Sequence, residues 1–239
     1  MSPLALVTGG SEGLGAALAR FLAGRGYDLV LVARRAERLE AVRAGLAPLG
    51  TDVRVVPADV SRPADRDRIA AAVGPSAELD LLVNNASELG PSPLPPLLSY
   101  PADELARVYA TNVIAPIALV RTFREALGRA RGRVVNISSD AALGGYPGWG
   151  GYGASKAALD LVSRTLANEL RADGICVLSV DPGDLRTAMH QAAFPGEDIS
   201  DRPRPEVTIP FWAWLLEQDA ARISGHRFRA QDDRWEVPS

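Results

Sequence analysis

The sequence predicts an α/β fold, a doubly wound and mostly parallel β-sheet flanked by helices on both faces, and three observations carry that prediction. Short apolar, β-branched runs alternate with longer stretches of 3.6-residue periodicity, the pattern of repeated strand–helix–strand units. The runs are apolar almost throughout and do not alternate with polar residues, as expected where helices cover both sides of a sheet. The chain also opens with a strand that runs into a helix through a turn nearly free of side chains. Together these describe a Rossmann-like architecture, with active groups gathered at the carboxyl ends of the strands.

The predicted strands are Leu4–Thr8, Leu29–Ala33, Val53–Pro57, Leu79–Asn84, Val134–Ser138 and Cys176–Asp181, with a last one through Arg227–Ala230. Leu14, Leu18, Phe21 and Leu22 mark one helical stripe; Leu159, Val162, Leu166 and Leu170 mark another. Glu88–Pro96 is too rich in proline for a helix interior and reads as an irregular arm before the helix that carries Asn112. The glycine-rich Gly144–Gly153 permits tight turns. Within 184–205, the charged and proline-broken Pro195–Pro205 reads as a surface loop or lid. Nothing in the 239 residues requires a second domain, so 1–239 reads as one.

A net charge of −3 argues against a general nucleic-acid binder. No apolar run approaches the roughly 18 residues of a membrane span. Met1-Ser2-Pro3-Leu4 leads straight into the first strand, so no signal peptide and a cytoplasmic location are expected. The single cysteine, Cys176, lies in an apolar run and reads as a buried small hydrophobe. His190 and His226 are the only histidines, and neither has metal-ligand spacing to a partner, so no metal is expected.

Chemistry concentrates in two places. In Thr8-Gly9-Gly10-Ser11-Glu12-Gly13-Leu14-Gly15, Gly9 and Gly13 let the backbone approach a pyrophosphate and Gly15 lets helix pack on strand. The next strand ends at Ala33-Arg34-Arg35, where an acidic residue would bind the ribose diol of NAD. Arg34, with Arg35 able to share, instead offers donors to a 2′-phosphate, which favours NADP(H) over NAD(H), although Glu12 is no help to an additional phosphate. Downstream, Tyr152 and Lys156 are four residues apart and share a helix face, thirteen residues beyond Ser139. A phenol beside an ammonium can serve as acid or base, since the cation favours phenolate, and Ser139 can hydrogen-bond a substrate oxygen.

With Asp59-Val60, Asn84-Asn85-Ala86, Asn112 and Pro182-Gly183 followed by Thr187, the chain resembles the short-chain dehydrogenase/reductase family over nearly its full length. The resemblance implies that Ser139, Tyr152, Lys156 and Asn112 are catalytic, Asn112 holding a water that links Lys156 to solvent. It implies that Lys156 also binds the nicotinamide ribose, Asp59 the adenine amino group and Val60 the adenine pocket. Asn84, Asn85 and Ala86 should wall the adenosine ribose, and Pro182, Gly183, Leu185 and Thr187 should surround the nicotinamide and its phosphates. Ser87 stands where the family often has glycine, in the same cofactor-binding stretch. The segment after Gly225 departs from the family ending, which leaves a homodimer at least as expected as a homotetramer.

Tyr146, Trp149, Met189 and Phe194, together with Ser139 and Tyr152, are candidate substrate contacts for an apolar or aromatic compound. Trp212, Trp214 and Leu215 form an apolar helix face for packing or subunit contact. The expected activity is NADP(H)-dependent interconversion of a ketone or aldehyde and an alcohol. An NAD(H)-dependent alcohol dehydrogenase and a non-catalytic dinucleotide-binding scaffold are the alternatives.

Overall fold

A computed structural model describes residues 2–237. The chain alternates strand and helix as β1 (Leu4–Thr8), α1 (Gly13–Gly24), β2 (Asp28–Ala33), α2 (Ala36–Leu46), β3 (Val53–Pro57), α3 (Pro63–Val73) and β4 (Leu81–Asn84). It continues with α4 (Ala102–Tyr109), a π-helical turn at Ala110–Ile114, α5 (Ala115–Ala130), β5 (Arg133–Ile137), α6 (Ala141–Gly144), α7 (Gly150–Glu169) and β6 (Cys176–Asp181). The remaining elements are α8 (Ala188–Ala193), α9 (Ile209–Glu217), α10 (Ala220–Ile223) and β7 (Arg227–Arg229). The seven strands form one sheet in the order β3-β2-β1-β4-β5-β6-β7, and every pairing is parallel.

The order reverses between β1 and β4, which opens a crevice at their carboxyl ends. Successive residues of a strand feed opposite layers: Ala5 and Val7 pack with Leu18, Leu22, Phe211 and Trp212, while Leu4 and Leu6 pack with Ile69, Leu119 and Phe123. Cys176 is buried in the first layer, and burial pushes its thiol up to about 11. Trp212 and Leu215 are buried, and Trp214 packs against Phe211, Phe228 and Trp235, so this helix face serves the core.

The predicted strands recur with small shifts. Leu79 and Asp80 precede the ladder of β4, Arg133 joins β5, Ser138 lies just beyond it, and β7 stops at Arg229. The stripe expected on α7 is only half sunk in the core: Leu159 and Leu170, just past the helix end, are buried, but Val162 and Leu166 are half-buried. The inner face carries Tyr152, Ser155, Lys156, Asp160 and Ser163 instead. These polar groups are tied in. Asn84 Nδ2 donates to Asn136 Oδ1 (2.8 Å), and Asn136 Nδ2 donates to Ser163 Oγ (2.8 Å), so a buried chain joins β4, β5 and α7. Among the described residues, no helix is long and apolar enough to cross a membrane.

Close approach of α1 to the first loop depends on Gly15, where a Cβ would lie 2.2 Å from the Gly9 carbonyl oxygen. Gly15→Ala should therefore cost about 1–3 kcal/mol in denaturant unfolding. Gly24 is exposed, with no atom within 4 Å of its Cβ position, so Gly24→Ala should be neutral or stabilising by up to about 1 kcal/mol. Equal effects of the two substitutions would contradict this packing.

Candidate active site

The crevice begins at the turn between β1 and α1. Gly9 has φ +67°, and a Cβ there would lie 2.6 Å from Asn85 Nδ2, so only glycine fits. Asn85 Nδ2 donates to the carbonyls of Thr8 (2.8 Å) and Gly9 (3.2 Å), which holds the loop open. No side chain caps α1, and its first-turn N–H groups remain for an anion. Gly9, Ser11, Glu12, Gly13 and Leu14 line this part of the cavity, whose free donors and bare backbone fit a pyrophosphate.

Three residues expected at the cofactor do not reach the cavity: Thr8, Gly15 and Asn84, the last buried on Asn136. Thr8 is buried: its Oγ1 donates to the Val83 carbonyl (3.2 Å) and accepts from the Asn85 and Ala86 N–H groups (3.0 Å each). It joins the ends of β1 and β4, while Gly15 serves the packing described above.

At one end of the crevice lie Arg34, Arg35, Asp59 and Val60, with Asn85 and Ala86 beside them; Ser87 lines it nearer Tyr152. Asp59 Oδ1 accepts from the Ser61 N–H (2.9 Å) and Oγ (2.7 Å). The Arg34 side chain is 70% exposed, with Nη1 3.5 Å from Glu88 Oε2. Arg35 pairs with Glu12, and so does Arg38.

At the other end, α7 brings Tyr152 and Lys156 under the end of β5. Lys156 is buried; its Nζ donates to the Ile137 carbonyl (2.7 Å) and sits 5.4 Å from the Tyr152 ring centroid. Burial pulls the ammonium down to about 8, with Asp160 opposing. Burial pushes the Tyr152 phenol up to about 12; the Ser87 and Ser139 hydroxyls favour its ionised form, and Asp181 and Asp140 oppose it. Desolvation, the largest influence on the phenol, thus opposes the expected draw of Lys156 towards phenolate.

Ser139 Oγ donates to Asp140 Oδ1 (3.0 Å) and accepts from the Ala141 N–H (3.2 Å). Asn112, in the π-helical turn, does not line the cavity. Its Oδ1 accepts from Ser87 Oγ (3.1 Å) and the Glu88 N–H (2.7 Å), and its Nδ2 donates to the Glu88 carbonyl and Ser155 Oγ (2.9 Å each). The whole amide is used in holding Ser87-Glu88 against α7.

Trp149, Met189 and Leu185 line the cavity beside this end, and Trp149 meets Tyr152 edge-on at 5.8 Å between centroids. Pro182, Gly183 and Thr187 line it too, Thr187 also capping α8 through the His190 N–H (3.2 Å). The expectation fails for two aromatics. Phe194 packs behind Trp149 (5.9 Å) and His190 (5.0 Å) without reaching the cavity. Tyr146 is 46% exposed and turns out beside Asp140, because the tight turn after α6 points it away.

The geometry meets an independent finding, since a family model of short chain dehydrogenases matches residues 3–198. This chain is a short-chain dehydrogenase/reductase. It is 35% identical over 231 residues to the rhamnolipids biosynthesis 3-oxoacyl-[acyl-carrier-protein] reductase of Pseudomonas aeruginosa, covering 92% of this chain and 87% of that one. A short-chain dehydrogenase of Shigella flexneri complexed with NADP superposes with a TM-score of 0.89 at 29% identity, over 96% of this chain and 97% of that one. An NAD+-bound xylitol dehydrogenase superposes with a TM-score of 0.81 at 25% identity, over 95% and 96%.

The site also contains Ser138, the neighbour over which the sequence favours Ser139, together with Asp181 and Arg227, which the motifs do not name. Ser138 lines the cavity with a buried hydroxyl lacking a partner among the described residues. Asp181 ends β6, where the carboxyl-end rule would have flagged it. Arg227 on β7 had no such signal: its Nη2 donates to the Ser139 carbonyl (2.9 Å) and Asp181 Oδ2 (3.0 Å), and its Nε to Asp160 Oδ2 (3.0 Å). Arg227→Leu should leave two buried carboxylates without their cation and cost on the order of 3 kcal/mol in chemical denaturation. A loss below about 0.5 kcal/mol, the size of an ordinary surface substitution, would show that the network is dispensable.

Proposed function

We propose that this oxidoreductase reduces a ketone or aldehyde to an alcohol with NADPH. The observation that carries the reading is the buried Tyr152 phenol placed beside Ser139 and Lys156 in a crevice whose glycine loop suits a dinucleotide. The bound coenzyme supplies the hydride. Ser139 Oγ–H turns from Asp140 to the substrate oxygen and stabilises its developing charge. Tyr152 gives that oxygen its proton. Lys156 uses one of its three hydrogens on Ile137 and has others to offer the nicotinamide ribose.

At the opposite end, Asp59 and Val60 receive the adenine, and Arg34 meets the ribose 2′-phosphate. Trp149, Met189 and Leu185 present an apolar wall to the substrate, and Asp140, Asp181 and Asp184 disfavour an anionic one. Segment 184–205 carries Leu185 and Met189 on that wall, with Phe194 supporting it from behind, and acts as the substrate loop.

Tyr152→Phe should lower kcat for NADPH-dependent carbonyl reduction by about 10²- to 10⁴-fold while the Kd for NADPH stays near that of the wild type. Undiminished turnover would contradict the assignment. The raised phenol pKa has a signed consequence. The proton donor persists through neutral pH, so reduction should decline only as pH climbs towards the tyrosine's pKa, whereas alcohol oxidation should increase over the same range. Initial rates in both directions from pH 6 to 10 check this. Arg34→Ala should weaken NADPH about 5-fold or more and NADH much less, and equal losses would recast Arg34 as a general adenosine-site residue.

A further inference from the structure

Glu12 lies in the glycine loop, and its carbonyl accepts from the Ala16 N–H (3.3 Å), yet its side chain does nothing for the helix it precedes. Its backbone is extended (φ −164°, ψ 175°) and its side chain makes no cap to α1. The carboxylate leaves the loop for the end of β2, where Oε1 is taken by Arg35 and Oε2 by Arg38. Arg34, the third arginine there, faces Glu88 on the other side. Every cation that this corner offers is therefore matched by a carboxylate of the protein. The side chains of Glu12, Arg35 and Arg38 are 40%, 48% and 49% exposed, so water and salt screen these pairs and they exchange partners readily.

We propose that Glu12 is a coenzyme-discriminating residue, its carboxylate acting as a built-in competitor for the ribose 2′-phosphate at Arg35 and Arg38. The proposal rests on the reading that the adenosine ribose lies at the end of β2. A 2′-phosphate that is met by Arg34 and also engages Arg35 and Arg38 draws those two guanidinium groups from Glu12, and it then shares the corner with a displaced carboxylate that the loop backbone keeps nearby. Like charges at that separation repel. A coenzyme without the phosphate leaves both ion pairs intact. Glu12 thus restrains NADPH affinity selectively and narrows the preference that Arg34 creates.

The test measures binding and needs no substrate. Equilibrium Kd values for NADPH and NADH are obtained by fluorescence titration for wild type, Glu12→Gln and Glu12→Ser, at low and high ionic strength. Glutamine keeps the shape without the charge, and serine also removes the reach. The expected result is a fall of about five- to twenty-fold in the ratio of Kd(NADPH) to Kd(NADH) in both variants at low salt, shrinking at high salt. An unchanged ratio, or one that moves towards NADH, overturns the proposal and makes Glu12 an organiser of the arginines on the phosphate's behalf. A wild type that prefers NADH would defeat the NADPH reading, while Glu12 is still judged on the shift in ratio alone. A wild type that binds neither coenzyme overturns both.

Discussion

The site hangs on one buried ammonium. Lys156 is 2% exposed, and its hydrogen bond to the Ile137 carbonyl fastens α7 to the end of β5. A desolvated cation is costly unless its hydrogens find acceptors, so the contact fixes both where α7 sits and how its first turns face the crevice. Tyr152, one helical turn earlier, is placed by the same anchor under the Ile137-Ser138-Ser139 corner. Asp160, one turn later, returns charge to the lysine and meets Arg227 from the last strand. The catalytic end is thereby braced from β5, β6, β7 and α7 at once.

The sheet explains why those groups meet at all. Seven parallel strands point their carboxyl ends one way, and the reversal between β1 and β4 parts the flanking helices there. The central strands β1, β2 and β4 are largely apolar on both faces because a helix layer covers each face. Most polar groups in such a sheet are held in paired chains, as in Asn84–Asn136–Ser163. Thr8 is likewise spent on neighbouring backbone, and Asn112 on Glu88 backbone and the Ser87 and Ser155 hydroxyls.

Much of this was legible in the sequence. Strand positions followed from apolar runs, and Ser139, Tyr152 and Lys156 converge as their spacing implied, since one helix and one strand end determine their separation. The errors lie where rotamers and turns decide. Tyr146 and Phe194 were aromatic and close in sequence to the site, but a left-handed Gly145 (φ +59°) and the packing of Trp149 direct both away from the cavity. The balance between burial and the lysine's charge at Tyr152 depends on depth, which spacing does not report. Arg227 reaches Ser139 across 88 positions because β7 pairs with β6, and no periodicity announces that. The Arg34-Arg35 pair was visible; Arg38 and the capture of Arg35 and Arg38 by Glu12 were not.

The central claim is that depth, rather than the neighbouring ammonium, sets the state of the catalytic phenol. Carbon-13 NMR of protein labelled at tyrosine Cζ tests it most directly, with five tyrosines in the chain and the Tyr152 signal assigned by its absence in Tyr152→Phe. With a pKa of about 12, the signal should stay at the phenol position through pH 10 in the ligand-free protein. Conversion to the phenolate position below the ordinary tyrosine pKa of about 10 would show that Lys156 prevails over burial and would contradict the account.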